Sequence, residues 1–387
     1  MPNYLNNKWI RGVLPALFIH LSIGSVYAFS LLSKPIADYI GRTQSSVQFA
    51  FSLAIFFLGT SAAFGGNIVE KNIRRSSLLS MFFFISGLII TGISVYLKSL
   101  LGVYIGYGCI MGIGLGIGYL TPVKTLMLWF SEHRGLATGI AVCSFGFGSA
   151  LATPIINKLI TTLPVYQVFW GLAGVYALPM LLSHWLIRKP HVAVAHSESN
   201  DFKLKELLKN PTFICIWLMV YINIGCGLAV IPNAVSILSS YNVGKVALTV
   251  GIMGIFNGAG RLIFSAVSDK FPKREVIYYL IFTLSFIACI IGMIFKTCLP
   301  ITLVVVSACY GAGFSCLPSL LSDRFGMNNI SKIHGWSLTA WALAGLTGNQ
   351  MANLINGKTG SYTPVFIVIS ALYLIGLFIS LRIKEKN

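Results

Sequence analysis

Residues 66–75 read GNIVEKNIRR, and residues 265–274 read SAVSDKFPKR. Laid over each other, they keep their chemistry at a constant offset of 199 residues: Gly66 with Ser265, Glu70 with Asp269, Lys71 with Lys270, Arg74 with Lys273 and Arg75 with Arg274. A small residue, an acid and three bases recurring at fixed spacing mark an internal repeat. A looser echo follows each copy, where Pro122 and Pro318 lead into polar loops ending in Arg134-Gly135 and His334-Gly335.

Most of the rest is apolar. Of 387 residues, 56% are hydrophobic and 10% charged, and the mean hydropathy is +0.81, which places the chain among polytopic membrane proteins. Crossing a bilayer as helix takes about 20 apolar residues. Twelve such segments are predicted, at 11–33, 46–66, 77–97, 102–123, 136–157, 166–187, 212–238, 246–267, 276–295, 300–321, 335–355 and 363–381. RKPHVAVAHSESNDFKLKELLKNP, residues 188–211, is the one extended hydrophilic stretch and divides them six and six. The expected architecture is an all-α membrane protein of twelve transmembrane helices in two pseudo-symmetric six-helix bundles, 1–188 and 211–387, joined by a cytoplasmic linker at 189–210. Duplicated halves of this kind belong to secondary carriers that rock about a central site.

The net charge of +18 raises the question of a nucleic-acid partner, and the placement of the bases answers it. Lys8, Arg11, Lys71, Arg74, Arg75, Lys124, Arg134, Arg188, Lys189, Lys203, Lys205, Lys209, Lys270, Lys273, Arg274, Arg324, Lys332, Arg382, Lys384 and Lys386 fall on one set of alternate loops. The other set holds Lys34, Arg42, Lys98, Lys158, Lys245, Lys296 and Lys358. Under the positive-inside rule the first set is cytoplasmic, with both termini on that side of a bacterial cell membrane. Topology accounts for the basicity, and no nucleic-acid partner is expected. The first apolar segment continues into KPIADYIGR with no small-residue cleavage site and reads as a retained helix. The eight cysteines form no CxxC pair and read as packing residues. There is no Ser-His-Asp arrangement, HExxH or GxxxxGK[ST], so no catalytic residue, metal or cofactor is expected.

The two repeated loops resemble the G-x-x-x-(D/E)-(R/K)-x-x-(R/K)-(R/K) motif of the major facilitator superfamily, whose loop acid contacts a neighbouring helix end and latches the cytoplasmic side. The resemblance implies a cytoplasmic gate of Gly66, Glu70, Lys71, Arg74 and Arg75 with Asp269, Lys270, Lys273 and Arg274. Glu70 stands for the usual aspartate, and Ser265 for the second glycine. A nearer resemblance lies in GYLTPVKTLMLWFSEHRGLATGIAVCSFGFGS, residues 118–149, which is similar to the fourth and fifth helices of the oxalate/formate antiporter family. Tyr27 with SLLSKP, WLMVYINIGCGL, FNGAGR and HGWSLTAWALAGLTG extend it over nearly the whole chain. In that family and the related monocarboxylate carriers the eighth-helix arginine binds the substrate carboxylate, and Arg261 occupies that position. The eleventh helix lacks the lysine that oxalate carriers add, and Asn257 stands where animal-type monocarboxylate carriers have an aspartate for proton coupling.

The residues make their own case for Arg261. The carboxylates Asp38, Glu70, Glu132, Glu198, Asp201, Glu206, Asp269, Glu275, Asp323 and Glu385 all fall in predicted loops or at helix ends. An arginine at mid-helix costs about 2.5–3.5 kcal/mol on insertion scales, and such residues mark substrate or ion paths. A guanidinium takes a carboxylate through two parallel hydrogen bonds. Asn257, one turn earlier, extends the polar stripe away from the helix end toward which a snorkelling arginine would reach. Gly251, Gly254 and Gly258 are expected to let a neighbour or ligand approach this helix closely. His20 and Tyr27 share a face of the first helix, Tyr119 and Thr121 precede Pro122, Tyr310 and Phe314 stand at i, i+4, and Trp341 lies near the missing lysine. Tyr27, His20, Tyr119, Tyr310, Phe314 and Trp341 join Arg261 and Asn257 as substrate-site candidates, with core packing as the alternative for each aromatic or histidine.

The expected function is secondary active transport of a small organic anion, a carboxylate, by alternating access, either as an antiporter or as a proton-linked monocarboxylate carrier, with no enzymatic activity. The protein is expected to work in the lipid bilayer as a monomer. A carrier for a larger carboxylate or zwitterion, such as a siderophore or amino acid, and a receptor built on a carrier fold stand as alternatives.

Overall fold

The computed structural model describes residues 7–190, 204–244 and 246–383. These form helices throughout: α1 (Trp9–Ile40), α2 (Gln44–Lys71), α3 (Ile73–Tyr96), α4 (Leu100–Trp129), α5 (Arg134–Thr162), α6 (Val165–Leu186), α7 (Pro211–Val230), α8 (Val246–Ser268), α9 (Glu275–Ile294), α10 (Leu299–Phe325), α11 in two pieces (Ile330–Ser337 and Thr339–Thr359) and α12 (Thr363–Ser380). Twelve long helices in this order match the expected count, with the short helices Leu204–Leu207 and Ala234–Ser240 before and after α7. Most of the linker, with Glu198, Asp201 and Lys203, lies outside the described residues, as do Lys245, Lys384, Glu385 and Lys386.

Local chemistry sets the breaks. Thr43 caps α2 by accepting the Ser46 N–H, and Asn72, at φ −152°, ends α2 and caps α3 through the Arg75 N–H. Asn210 accepts from the Thr212 and Phe213 N–H groups ahead of Pro211, which suits the first turn of α7. The chain turns after α1 at Gly41, φ +70°.

Eleven of the described helices are long and apolar enough to cross a membrane. The second piece of α11 falls short because it carries Thr347, Asn349, Gln350, Asn353 and Asn356. Two of these meet partners: Asn233 Nδ2 donates to Asn349 Oδ1 at 2.9 Å, and Thr347 shares a 3.1 Å hydroxyl contact with Tyr221. Outward faces are apolar, with Phe64, Leu101, Ile301 and Phe378 each more than 60% exposed, the pattern of a protein whose solvent is lipid.

The described residues fall into two compact units. One takes its residues from Met1–Glu132, Ser144–Ser199 and Asn328–Ala342, the other from His133–Cys143, Asn200–Met327 and Leu343–Asn387. In the first, α2 packs on α4 and on Ile330–Ser337, and α3 on α6. In the second, α8 packs on α10, and α9 on α12.

Three expectations need correction. Lys124, counted as a loop residue, is buried within α4 and paired with Glu70 at 3.0 Å, so the attraction of an acid holds it inside the helix. α1 does not stop before KPIADYIGR but runs on to Ile40, its exposed last turns carrying the Lys34–Asp38 ion pair at i, i+4. His334 is not in a loop but in Ile330–Ser337, and it is 2% exposed.

Candidate functional site

Arg261 is 3% exposed on α8. Its Nε donates to Asn257 Oδ1 at 2.9 Å, and its Nη1 donates to the Val142 carbonyl at 3.0 Å. The guanidinium carbon stands 5.6 Å from the centre of the Phe314 ring, within cation–π range. The side chain thus folds back one turn toward Asn257 rather than out toward Ser268, as helical side chains lean toward the N-terminus. Among the described residues no carboxylate pairs with it, and both acceptors it meets are neutral. Asn257 is held in turn, its Nδ2 reaching Ser307 Oγ at 3.5 Å.

Close approach to Arg261 comes from α10 and not from a neighbour at Gly251 or Gly254, while the Gly258 carbonyl meets Cys143 Sγ at 3.4 Å. A Cβ at Gly251 or Gly254 would meet nothing within 4 Å, whereas one at Gly311 would lie 2.3 Å from the Asn257 carbonyl and 3.0 Å from Arg261 Cγ. Gly311 therefore lets α10 lie against the arginine stem. Tyr310 and Phe314 follow on α10 with ring centres 5.1 Å apart. Asn223 of α7, which sequence reading did not single out, donates to the Tyr310 carbonyl at 3.4 Å, and its Oδ1 is buried without a hydrogen-bond partner. A buried asparagine in an apolar run, INIGCG, was the available signal. Arg261, Asn257, Tyr310 and Phe314 are thus brought together within the second unit.

The other candidates gather in the first unit around Phe145. His20 and Tyr27 approach its ring at 5.8 and 5.5 Å, Tyr119 at 5.3 Å and Trp341 at 6.0 Å. His20 is fully buried, stacks on Tyr119 at 5.3 Å, and its Nε2 lies 3.1 Å from the Tyr119 carbonyl. A carbonyl only accepts, so this contact holds the proton on Nε2. Thr121 donates to the Ile117 carbonyl at 2.8 Å and lies with its hydroxyl against Ser76. His334 adds a ring 5.9 Å from Tyr119.

The repeated acids each sit at a helix start. Asp269 accepts the Gly135 N–H at 2.8 Å on Oδ1 and the Leu136 N–H at 2.9 Å on Oδ2, at the N-terminus of α5. Arg274 donates to Asp269 at 2.7 Å, to Ser268 at 3.0 Å and to Asp323 at 2.5 Å. Beside this group Arg324 pairs with buried Glu275. Glu70 accepts the Ser331 N–H at 2.6 Å, at the start of Ile330–Ser337, and takes the Lys124 ammonium. Anions favour helix N-termini because the free N–H groups and the macrodipole are positive there. Of the other motif residues, Arg74 donates to the His184 carbonyl at 3.4 Å, while Lys71, Arg75, Lys270 and Lys273 are exposed.

Residues 13–349 match the profile of the Major Facilitator Superfamily. The chain belongs to that superfamily. Its relatives within the superfamily include an oxalate:formate antiporter from Oxalobacter formigenes, 26% identical over 94% of this chain and 88% of that one. Monocarboxylate transporter 11 from Mus musculus is 22% identical over 96% and 86%. Among solved superfamily structures, the proton:xylose symporter XylE, bound to 6-bromo-6-deoxy-D-glucose, aligns with a TM-score of 0.76 at 14% identity, over 96% of this chain and 95% of that one. At that identity the likeness carries the fold alone.

Proposed function

We propose that this superfamily transporter carries a small organic carboxylate by alternating access, with Arg261 as the group that receives the anion. One observation carries the reading: a buried guanidinium bonded only to Asn257 Oδ1 and the Val142 carbonyl, with no carboxylate partner among the described residues. A buried charge without a counter-ion is costly, and a carboxylate supplies the missing charge together with two-point hydrogen bonding. The named substrates of the antiporter relative agree in kind. Tyr310 and Phe314 form the apolar wall beside the arginine, and Asn257 holds its Nε edge in place.

Exchange of one anion for another is favoured over proton symport. The residue one turn from Arg261 is neutral Asn257, which cannot carry a coupled proton. His20 belongs to the packed group around Phe145, where a backbone carbonyl engages its ring. The Glu70 and Asp269 contacts act as the cytoplasmic latch of the transport cycle, with both termini on the cytoplasmic side of the cell membrane.

The test is uptake into proteoliposomes. Vesicles preloaded with unlabelled formate, lactate or oxalate are expected to take up the labelled anion far faster than empty vesicles. Arg261→Ala and Arg261→Lys are both expected to abolish it, because a lysine offers charge without the planar two-point fork. Undiminished carboxylate transport by Arg261→Ala removes the arginine from this role.

A further inference from the structure

A second cationic centre lies where α1 begins and α6 ends, in the first unit. Arg11 Nη1 donates to the Leu186 carbonyl at 3.3 Å, Arg188 Nη1 to the Ile187 carbonyl at 2.7 Å, and Arg74 Nε to the His184 carbonyl at 3.4 Å. Chain segments far apart in sequence thus aim three guanidinium groups at the last turn of one helix. The backbone ties them together, with the Arg188 N–H on the Arg11 carbonyl at 3.2 Å and Trp129 Nε1 on the Arg188 carbonyl at 2.9 Å.

Capping explains part of this arrangement. The free carbonyls at a helix C-terminus carry roughly half a negative charge, against three full positive ones. No carboxylate pairs with Arg11, Arg74 or Arg188 among the described residues, and the nearby acid Glu70 is engaged by Lys124 and Ser331. Arg11 Nε is shut off from solvent with no hydrogen-bond partner. Burial first, then the charges of Arg74 and Arg11, push the Arg188 guanidinium below its usual pKa. Each guanidinium has five N–H donors, and the carbonyls use few of them.

The surroundings are those of a membrane interface. Trp9 and Trp185 expose 56% and 58% of their surface at this end of the helices, and Lys8 lies over the Phe130 ring at 4.9 Å. Exposed indoles at span ends sit at headgroup level, and basic pockets between helix ends there hold lipid phosphates. We propose that Arg11, Arg74 and Arg188 form a binding site for the phosphodiester headgroup of an anionic phospholipid, with Trp9 and Trp185 beside its glycerol and upper acyl chains. The site is separate from Arg261 and does not depend on what the protein transports.

Dioctanoyl phosphatidylglycerol is titrated into the purified full-length protein in detergent, with thermal unfolding and native mass spectrometry as readouts. Phosphatidylglycerol is expected to raise the midpoint saturably and to stay bound, whereas dioctanoyl phosphatidylcholine and inorganic phosphate at equal concentration do neither. Arg11→Gln/Arg188→Gln is expected to weaken phosphatidylglycerol binding at least about tenfold. The charge-matched pair Lys158→Gln/Lys358→Gln, at exposed positions, is expected to leave it unchanged. Should the double variant fail to fold, Arg188→Gln alone is expected to lose most of the retained lipid. Three results overturn the proposal: equal retention by wild type and either arginine variant, equal stabilisation by phosphatidylcholine, or inorganic phosphate reproducing the full shift, which marks a soluble-anion site instead.

Discussion

Glu70 and Asp269 come from the two copies of one repeat, yet they hold their helix ends differently. Asp269, shorter by a methylene, fits against the first turn of α5 and accepts two backbone N–H groups, one per oxygen, while Arg274 completes its shell. Glu70 reaches a single backbone N–H, that of Ser331, and spends its remaining capacity on buried Lys124. Small residues are placed differently too. In the first copy a Cβ at Gly66 would lie 2.5 Å from the Ser331 carbonyl. In the second Ser265 takes that place and donates its hydroxyl to the Gly135 carbonyl at 2.6 Å, and it is Gly135 whose Cβ would collide, 2.2 Å from the Ser265 carbonyl. A close approach needs one bare Cα, and which side supplies it is interchangeable. The duplicated motif conserves a carboxylate at a helix start rather than a set of side chains.

The comparison can be broken hardest at the second copy. Asp269→Ala strips the acceptor from two N–H groups and takes from Arg274, whose side chain is 12% exposed, one of its two carboxylates, leaving it Asp323 and the Ser268 hydroxyl. Removing one partner of such a pair costs about 3–5 kcal/mol. The expected result is the largest fall in the detergent unfolding midpoint of any change at either loop. Glu70→Gln keeps an oxygen for Ser331 but leaves buried Lys124 without a counter-charge, a loss of about 2–3 kcal/mol. Glu70→Gln/Lys124→Met is expected to recover most of that loss, which separates charge burial from the helix contact. Ser265→Ala deletes one hydroxyl donor from a packed contact, at about 1 kcal/mol. A ranking in which Glu70→Gln outweighs Asp269→Ala would show the buried Lys124 charge pair to be worth more than the two N–H contacts and the Arg274 pair of Asp269.

The sequence made much of this visible. Hydropathy placed the helices, because a lipid-facing surface must be apolar wherever it runs. The repeat placed both acids, because fixed spacing survives divergence. Lys124 was misread because a charge in an apolar run looks like a loop, and the Glu70 that neutralises it lies 54 positions away. The partners of the two acids, Ser331, Gly135 and Leu136, contribute backbone N–H groups, which no residue type announces. Arg261 was legible as a charge out of place, and Asn257 by its spacing. The Val142 carbonyl was not, nor was Gly311, since the packing of α8 on α10 selects it over Gly251 and Gly254. The partners of His20 were equally hidden, for Tyr119 offers its ring to one neighbour and its carbonyl to the same one.

Arg261 also has an electrical consequence. A fixed positive charge that crosses the field of an energised membrane is worth about 2.3 kcal/mol per 100 mV. A carrier moving with the arginine bare is therefore driven or braked by voltage, while the same carrier with a monoanion seated on the guanidinium moves as a neutral body. Swapping one monoanion for another would then generate no current and ignore the membrane potential, whereas a dianion would leave the loaded protein with a net negative charge and make its traffic voltage-dependent.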